Sequence, residues 1–296
     1  MSLKIAFGMI VFNSDFVLRQ CLEAAYPFAS QILVAEGPVG YWQKQGFTTS
    51  TDRTNEILRS FPDPEKKITV VHGTYAEKDQ QCNAYVQHIR SDADYVWNLD
   101  SDEMYKPEDI AAVATLLEQE HYTSVGFKSF CFFGGFDRCL GGFEERNQVY
   151  RIKKIYLGSK WLTHRPPTIV HAQGAKVWPE KHLDYEVLAA RGIRMYHYSY
   201  VFPRQVRDKV GYYKAAVSRE NCIDDYYNRI WLPWVRGDEA VKQRIENEFN
   251  GVHEFVPLYR GDCRTYQFSG THPTVIQRDL EQLKIEWKKQ LEAEHV

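Results

Sequence analysis

The feature that most restricts the fold is a repeated alternation between residues 5 and 99, where short apolar runs give way to helical patterns and return. The runs are Ile5 to Phe12, Gln31 to Ala35, Ile68 to Val71 and Tyr95 to Leu99. They are apolar without a polar-apolar alternation, the pattern of strands buried on both faces of a sheet. Between them, Val17, Leu18, Cys21, Leu22 and Ala25 recur at helical spacing, as do Ile57, Leu58 and Phe61, and then Cys82, Tyr85, Val86 and Ile89. Asn13-Ser14-Asp15 and Ser50-Thr51-Asp52 offer N-cap chemistry, and Pro27 and Pro62-Asp63-Pro64 stop the helices that precede them. Strands alternating with helices predict βαβ units, a mostly parallel sheet and right-handed crossovers, hence the α/β class.

The fourth run breaks abruptly into Asp100-Ser101-Asp102-Glu103, three carboxylates within four residues. A strand ending this way delivers acidic oxygens to the carboxyl end of the sheet, where open α/β sheets bind ligands. Hard divalent cations take such oxygens. A solvated acidic turn is the alternative reading of the same four residues.

Downstream, a helix starts near Pro107 with Ile110, Val113, Leu116 and Leu117 inward, and Ser124 to Phe133 reads as a further strand. Past Gly134-Gly135 the texture changes. Gln148 to Leu157 is strand-like, and a loop rich in Pro, Trp and His runs from Trp161 to His182. Arg194 to Val201 reads as a strand, with helices over Pro203 to Val217 and Val275 to Glu294. The expected division is residues 1–130 for one part of a domain and 131–296 for the other part of the same domain.

At 296 residues, 44% hydrophobic and 26% charged, the chain can bury a full core. A net charge of -2 carries no overall electrostatic footprint for nucleic acid. No apolar run approaches the roughly 20 residues that span a bilayer, and no secretory signal is visible, so a cytoplasmic protein is expected. The six cysteines form no Cys-x-x-Cys pair, which favours a reduced protein over a disulfide or zinc framework.

Four segments in this order resemble the nucleotide-sugar-binding half of family 2 glycosyltransferases with the GT-A fold. They are the first strand with Asn13 and its helix, then Ile32 to Gly37 with Glu36 after the strand. Ser50-Thr51-Asp52-Arg53-Thr54 comes third, similar to a Ser-Thr-Asp-Gly-Thr motif, and last is Cys82-Asn83 in a helix before Tyr95 to Asp102, similar to an Asp-x-Asp strand end. The resemblance spans about residues 3–110. It implies a GT-A-like sheet flanked by helices with an elaborated C-terminal acceptor region. The implied reaction is a metal-dependent, inverting transfer of a sugar from a nucleotide-sugar donor to an acceptor that is a glycan, a lipid-linked molecule or a protein.

The resemblance also implies residue roles. Asp102 is the first metal ligand, with Asp100 beside it or facing the ribose, and His197 in Tyr196-His197-Tyr198-Ser199-Tyr200 is a further ligand to Mn²⁺ or Mg²⁺. Asn13, Glu36, Asp52 and Asn83 are donor-binding candidates; capping or turn roles are the alternatives for Glu36, Asp52 and Asn83. A general base must take the acceptor proton, and Asp184, then Glu186, are its candidates. Glu103 reads as a bystander near a helix start. His164, His171 and His182 read as loop or core histidines, and most of the tryptophans as core. Arg204, Arg207 and Lys209, at helical spacing, read as a solvated face, with contact to a diphosphate as the minor alternative. Two rival functions stand beside the transferase: a non-catalytic nucleotide- or glycan-binding protein, and a sugar-phosphate nucleotidyltransferase, whose Gly-rich basic loop after the first strand is missing from Ile10 to Asp15.

Overall fold

A computed structural model describes residues 3–141, 150–164, 168–216, 222–254 and 263–294. The chain forms two compact units, one of Met1–Lys128 with Gln148–Met195, the other of Ser129–Asn147 with Tyr196–Val296. Residues 148–195 thus return to the first unit. They return because the Tyr150–Lys154 strand pairs antiparallel with Tyr95–Asp100 on one side and Ser124–Gly126 on the other. Residues 148 and 149 of the expected Gln148 to Leu157 strand lie outside the described residues.

In the first unit, β1 (Ile5–Val11), β2 (Gln31–Glu36), β3 (Ile68–His72) and β4 (Tyr95–Asp100) form the parallel heart of a seven-stranded sheet. The order is β4-β1-β2-β3, with Tyr150–Lys154, Ser124–Gly126 and His182–Leu183 continuing beyond β4. Only Tyr150–Lys154 runs antiparallel to its neighbours, so the architecture is α/β with a mostly parallel sheet and flanking helices. β2 is buried at all of its positions, as its unbroken apolar run requires.

The helices between these strands are α1 (Leu18–Ala25), the single turn α2 (Gly40–Gln43), α3 (Thr54–Ser60) and α4 (Lys78–Val86), with α5 (Pro107–Glu120) after β4. All but α2 lie where the apolar periodicity predicts a helix. α1 buries Leu18, Cys21 and Leu22, and α4 buries Cys82 and Tyr85. Tyr85 lies across Gly8 so closely that a Cβ there would stand 2.3 Å from the ring, and its hydroxyl donates to Asn98 Oδ1 at 3.2 Å. Phe7, Trp97 and Phe127 stack in succession at 5.2 and 5.5 Å between ring centres.

α5 buries an acid in its first turn. Asp109 is 8% exposed and its Oδ2 has no hydrogen-bond partner among the described residues. Burial, with Glu108 adding to it, pushes its pKa up from 3.8 to about 6. Ionisation is harder in the folded chain than in the unfolded one, so stability falls as pH rises from about 4 through about 6 and stays lowered above that. Asp109→Asn is expected to stabilise the protein at pH 7.5 by on the order of 2 kcal/mol and to give no gain below pH 4, read by denaturant midpoints at the two pH values.

The second unit carries a sheet in which Thr265–Gln267, Arg138–Leu140, Ser129–Phe133 and the Met195–Tyr200 strand lie side by side in that order. The expected Ser124 to Phe133 strand is thus two strands, one in each unit. Phe133, Tyr200, Val206, Ile230, Trp231 and Trp234 form its core, and Trp231 Nε1 donates to the Tyr200 carbonyl at 3.0 Å. Helices Pro203–Ala216, Glu239–Glu248 and Thr274–Ala293 belong to this unit; Val217 of the expected Pro203 to Val217 helix lies outside the described residues. All six cysteines are free thiols. Among the described residues no helix is long and apolar enough to cross a membrane.

Candidate active site

The parallel register brings the ends of β1, β2, β3 and β4 to one edge. Ile10 is level with Asp100, Val11 with Glu36, and Glu36 with His72. The loops that leave these strand ends therefore meet one another.

After β1 the backbone turns at Asn13, whose φ of 46° is left-handed, a conformation Asn tolerates better than most side chains. Asn13 N–H donates to Ser50 Oγ at 2.9 Å, and its Oδ1 accepts from Thr51 N–H at 2.8 Å. Ser14 N–H donates to Thr54 Oγ1 at 2.7 Å and Asp15 N–H to Asp52 Oδ2 at 3.2 Å. The two segments expected to cap α1 and α3 instead hold each other, and Val17 and Arg53 stand at the helix starts without side-chain caps. Asp52 still serves its own helix, since its Oδ1 accepts from Thr54 N–H at 2.9 Å.

Glu36 anchors this loop from below. It is 1% exposed and accepts from Ser50 N–H at 2.7 Å, from Thr49 Oγ1 at 3.2 Å and from His72 Nδ1 at 2.9 Å. Burial pushes its carboxyl up, but the bonds from His72, Ser50 and Thr49 together outweigh it and hold the pKa below the usual carboxylate value. Gln81, which no motif marks, reaches from α4 to the same edge: its Nε2 donates to the carbonyls of Ala35 at 2.9 Å and Gly37 at 3.1 Å. Gly37 has a φ of 142°, and a Cβ there would stand 1.8 Å from the Gly73 carbonyl oxygen.

The acidic turn after β4 is built around Glu103. Far from being a bystander, it is fully buried, pairs with the Arg151 guanidinium and accepts from Asp100 N–H at 3.1 Å. Arg151 Nη2 also stands 3.6 Å from Asp100 Oδ2. Cys21 closes the turn from α1, donating from Sγ to the Glu103 carbonyl at 2.8 Å; burial and the surrounding carboxylates push its thiol pKa well up. Asp100 thus has a buried cation beside it, whereas Asp102 is half-buried on the turn.

The remaining candidates lie elsewhere. Asn83 donates to the Trp161 carbonyl at 2.8 Å and accepts from its N–H at 2.7 Å, clamping the Lys160–Thr163 strand to α4. Asp184 comes directly after the His182–Leu183 strand on the carboxyl edge of the same sheet, three strand spacings or roughly 14 Å from β4. It N-caps the helix Tyr185–Ala190, accepting from Glu186 N–H at 2.9 Å, and Glu186 pairs with Lys128 at 2.9 Å. His197 belongs to the second unit, 5% exposed on the Met195–Tyr200 strand. In that unit Arg207 pairs with Glu294 at 2.9 Å and Lys209 with Ser199.

Among the described residues no group of three or more His, Cys, Asp and Glu is arranged to hold a metal ion. Two carboxylates on one turn nevertheless match the donor set of a divalent cation that takes its other ligands from phosphate and water.

The edge so assembled falls largely inside a recognised segment. Residues 48–169 match the model of Glycosyl transferase family 2. Over these residues the chain is similar to that family. The matched segment holds Ser50, Asp52, Asn83, Asp100, Asp102, Glu103 and Arg151, and so covers the third and fourth of the motifs that carry the resemblance. No curated protein matches the chain closely. Among solved structures, S. aureus TarS is similar at 13% identity and a TM-score of 0.35, over 51% of this chain and 28% of that one. TarS 1–349 in complex with UDP-GlcNAc is similar at 14% identity and a TM-score of 0.32, over 43% of this chain and 35% of that one. The chain thus spans less than half the length of these structures.

Proposed function

We propose that the chain is a glycosyltransferase that takes a sugar from a nucleoside-diphosphate donor with a divalent cation, Mn²⁺ or Mg²⁺, and passes it to an acceptor hydroxyl. The observation that carries this reading is the edge where the Asn13 loop, the Glu36-anchored Ser50–Thr54 segment and the Asp100–Glu103 turn converge, most of it within the family 2 segment.

Each part has a task. Glu36, saturated by its partners, acts through the loop it holds, presenting Thr51, Asp52 and Arg53 toward the nucleotide. Asp102 is the proposed cation ligand, because Arg151 already offsets the charge of Asp100. The cation supplies Lewis-acid stabilisation to the departing diphosphate. Buried Glu103 and Arg151 keep the turn in place at no cost of reorganisation during reaction, which is where fixed charges act most strongly.

Asp184 is the proposed general base, on the same sheet edge as the donor residues. Its capping role separates cleanly from that task, because Asn caps a helix as well as Asp but accepts no proton. Asp184→Asn is expected to keep the melting temperature while lowering transfer to acceptor by at least about a hundred-fold; retained transfer places the base elsewhere. Slow release of nucleoside diphosphate from one member of a sugar-nucleotide panel, in Mn²⁺, tests the transferase reading itself. Tight binding without turnover on any glycan favours the binding-protein reading, and consumption of a nucleoside triphosphate with release of pyrophosphate favours the nucleotidyltransferase.

A further inference from the structure

The part of the first unit between residues 150 and 182 has a composition unlike the rest of the chain. It holds seven Lys and Arg against a single Glu, in a protein whose net charge is -2, although Arg151 among them is buried against Glu103. It also holds four of the six most exposed large apolar side chains among the described residues: Leu157 at 85%, Leu162 at 57%, Val177 at 49% and Trp178 at 46%.

The segments that carry these side chains are tied to one another and to α4. The Lys160–Thr163 strand pairs with Thr168–Val170, and its alternation turns Trp161 inward while Lys160 and Leu162 share the outer face. Tyr156 Oη accepts from Trp178 N–H at 2.9 Å, and Ser159 Oγ stands 2.7 Å from His171 Nδ1, so the Leu157 loop is bound to the segment carrying Val177 and Trp178. The Asn83 clamp on Trp161 fixes the platform to α4. Lys154 lies over the Trp178 ring at 5.4 Å and His121 packs against that ring at 5.0 Å, while Lys160, Lys176 and Lys181 are exposed, the last paired with Glu120 at 3.1 Å.

We propose that this platform docks on an anionic lipid bilayer surface, with Leu157, Leu162 and Trp178 entering the interface and the lysines facing lipid headgroups. Aliphatic and aromatic side chains that would otherwise face water gain by entering the headgroup boundary, and each nearby lysine adds attraction to the negative surface. A nucleic acid satisfies the lysines but offers nothing to Leu157, Leu162 and Val177, which is why the lipid surface is the better match. The inference is independent of the donor site: of that site's residues only Arg151 falls between 150 and 182, and it is buried against Glu103.

Co-sedimentation with vesicles tests it. Wild-type protein is expected to pellet with phosphatidylcholine–phosphatidylserine vesicles, not with phosphatidylcholine alone, and to be released at about 0.5 M NaCl, where the Debye length is a few ångströms. Leu157→Glu combined with Leu162→Glu is expected to weaken binding at least about ten-fold, and each of Lys160→Glu and Lys176→Glu by about five-fold or more, with thermal stability unchanged. Failure to pellet with anionic vesicles, or pelleting that ignores the Leu157 and Leu162 changes, would overturn the proposal. Capture on heparin or RNA that survives the leucine changes, without vesicle binding, would make the face a polyanion site instead.

Discussion

Replacing Arg151 with methionine is expected to destabilise the protein by about 3–5 kcal/mol, because it leaves Glu103 as a buried carboxylate without its cation. In a unit of this size that loss lowers Tm by roughly 10 °C or more. Arg151→Lys keeps the charge but not the placement of Nη2, which faces both Glu103 and Asp100, so it should fall between wild type and methionine. Adding Glu103→Gln to Arg151→Met removes the orphaned charge, and the double variant is expected to recover part of the single variant's loss. A Tm for Arg151→Met within about 2 °C of wild type would mean that the pair does not hold the turn.

The second large effect falls on rate. Asp102→Asn removes the proposed cation ligand while leaving the Glu103 scaffold intact, and is expected to cut release of nucleoside diphosphate from the donor by about a hundred- to thousand-fold, the scale of losing one preorganised electrostatic group. Because Asp102 is only half-buried, stability without ligand should move by no more than about 0.5 kcal/mol. The contrast between the two variants separates positioning from catalysis. Arg151→Met harms the fold first, whereas Asp102→Asn harms only turnover and cation binding.

The legibility of this protein from its sequence depends on the range of the interactions involved. β1 to β4 are visible because a strand buried on both faces must be apolar at consecutive positions, a local signature. The acidic turn is visible for the same reason, since an apolar run cannot end more abruptly than in Asp100-Ser101-Asp102-Glu103. The structure of that turn is not visible. Its organising partner, Arg151, lies 48 residues away on a strand inserted antiparallel between β4 and Ser124–Gly126, and no local pattern reports which residue an inserted strand will place beside a carboxylate. Glu103 therefore reads locally as a helix-start acid although it is the most deeply buried of the three.

The two polar segments with cap chemistry carry the same lesson. Asn13-Ser14-Asp15 and Ser50-Thr51-Asp52 have the residues that cap helices, and they do satisfy backbone N–H groups, but chiefly each other's across 37 to 40 residues. Short polar side chains bond whichever backbone donor the fold presents. Gln81 is silent in the sequence because an amide reaching two strand-end carbonyls has no local signature. Asp184 and Asn83 stand out as residues, and the structure adds a local task to each, a helix cap and a strand clamp.

The proposal that the carboxyl edge binds a nucleoside diphosphate through a cation held by Asp102 is tested most directly by thermal denaturation of wild type and Asp102→Asn with each nucleoside diphosphate, with and without Mn²⁺. The expected result is a rise in Tm for wild type with one nucleotide only when Mn²⁺ is present, and no such rise for Asp102→Asn. A wild-type Tm that no nucleotide raises in Mn²⁺, or a rise that Asp102→Asn retains in full, would contradict it.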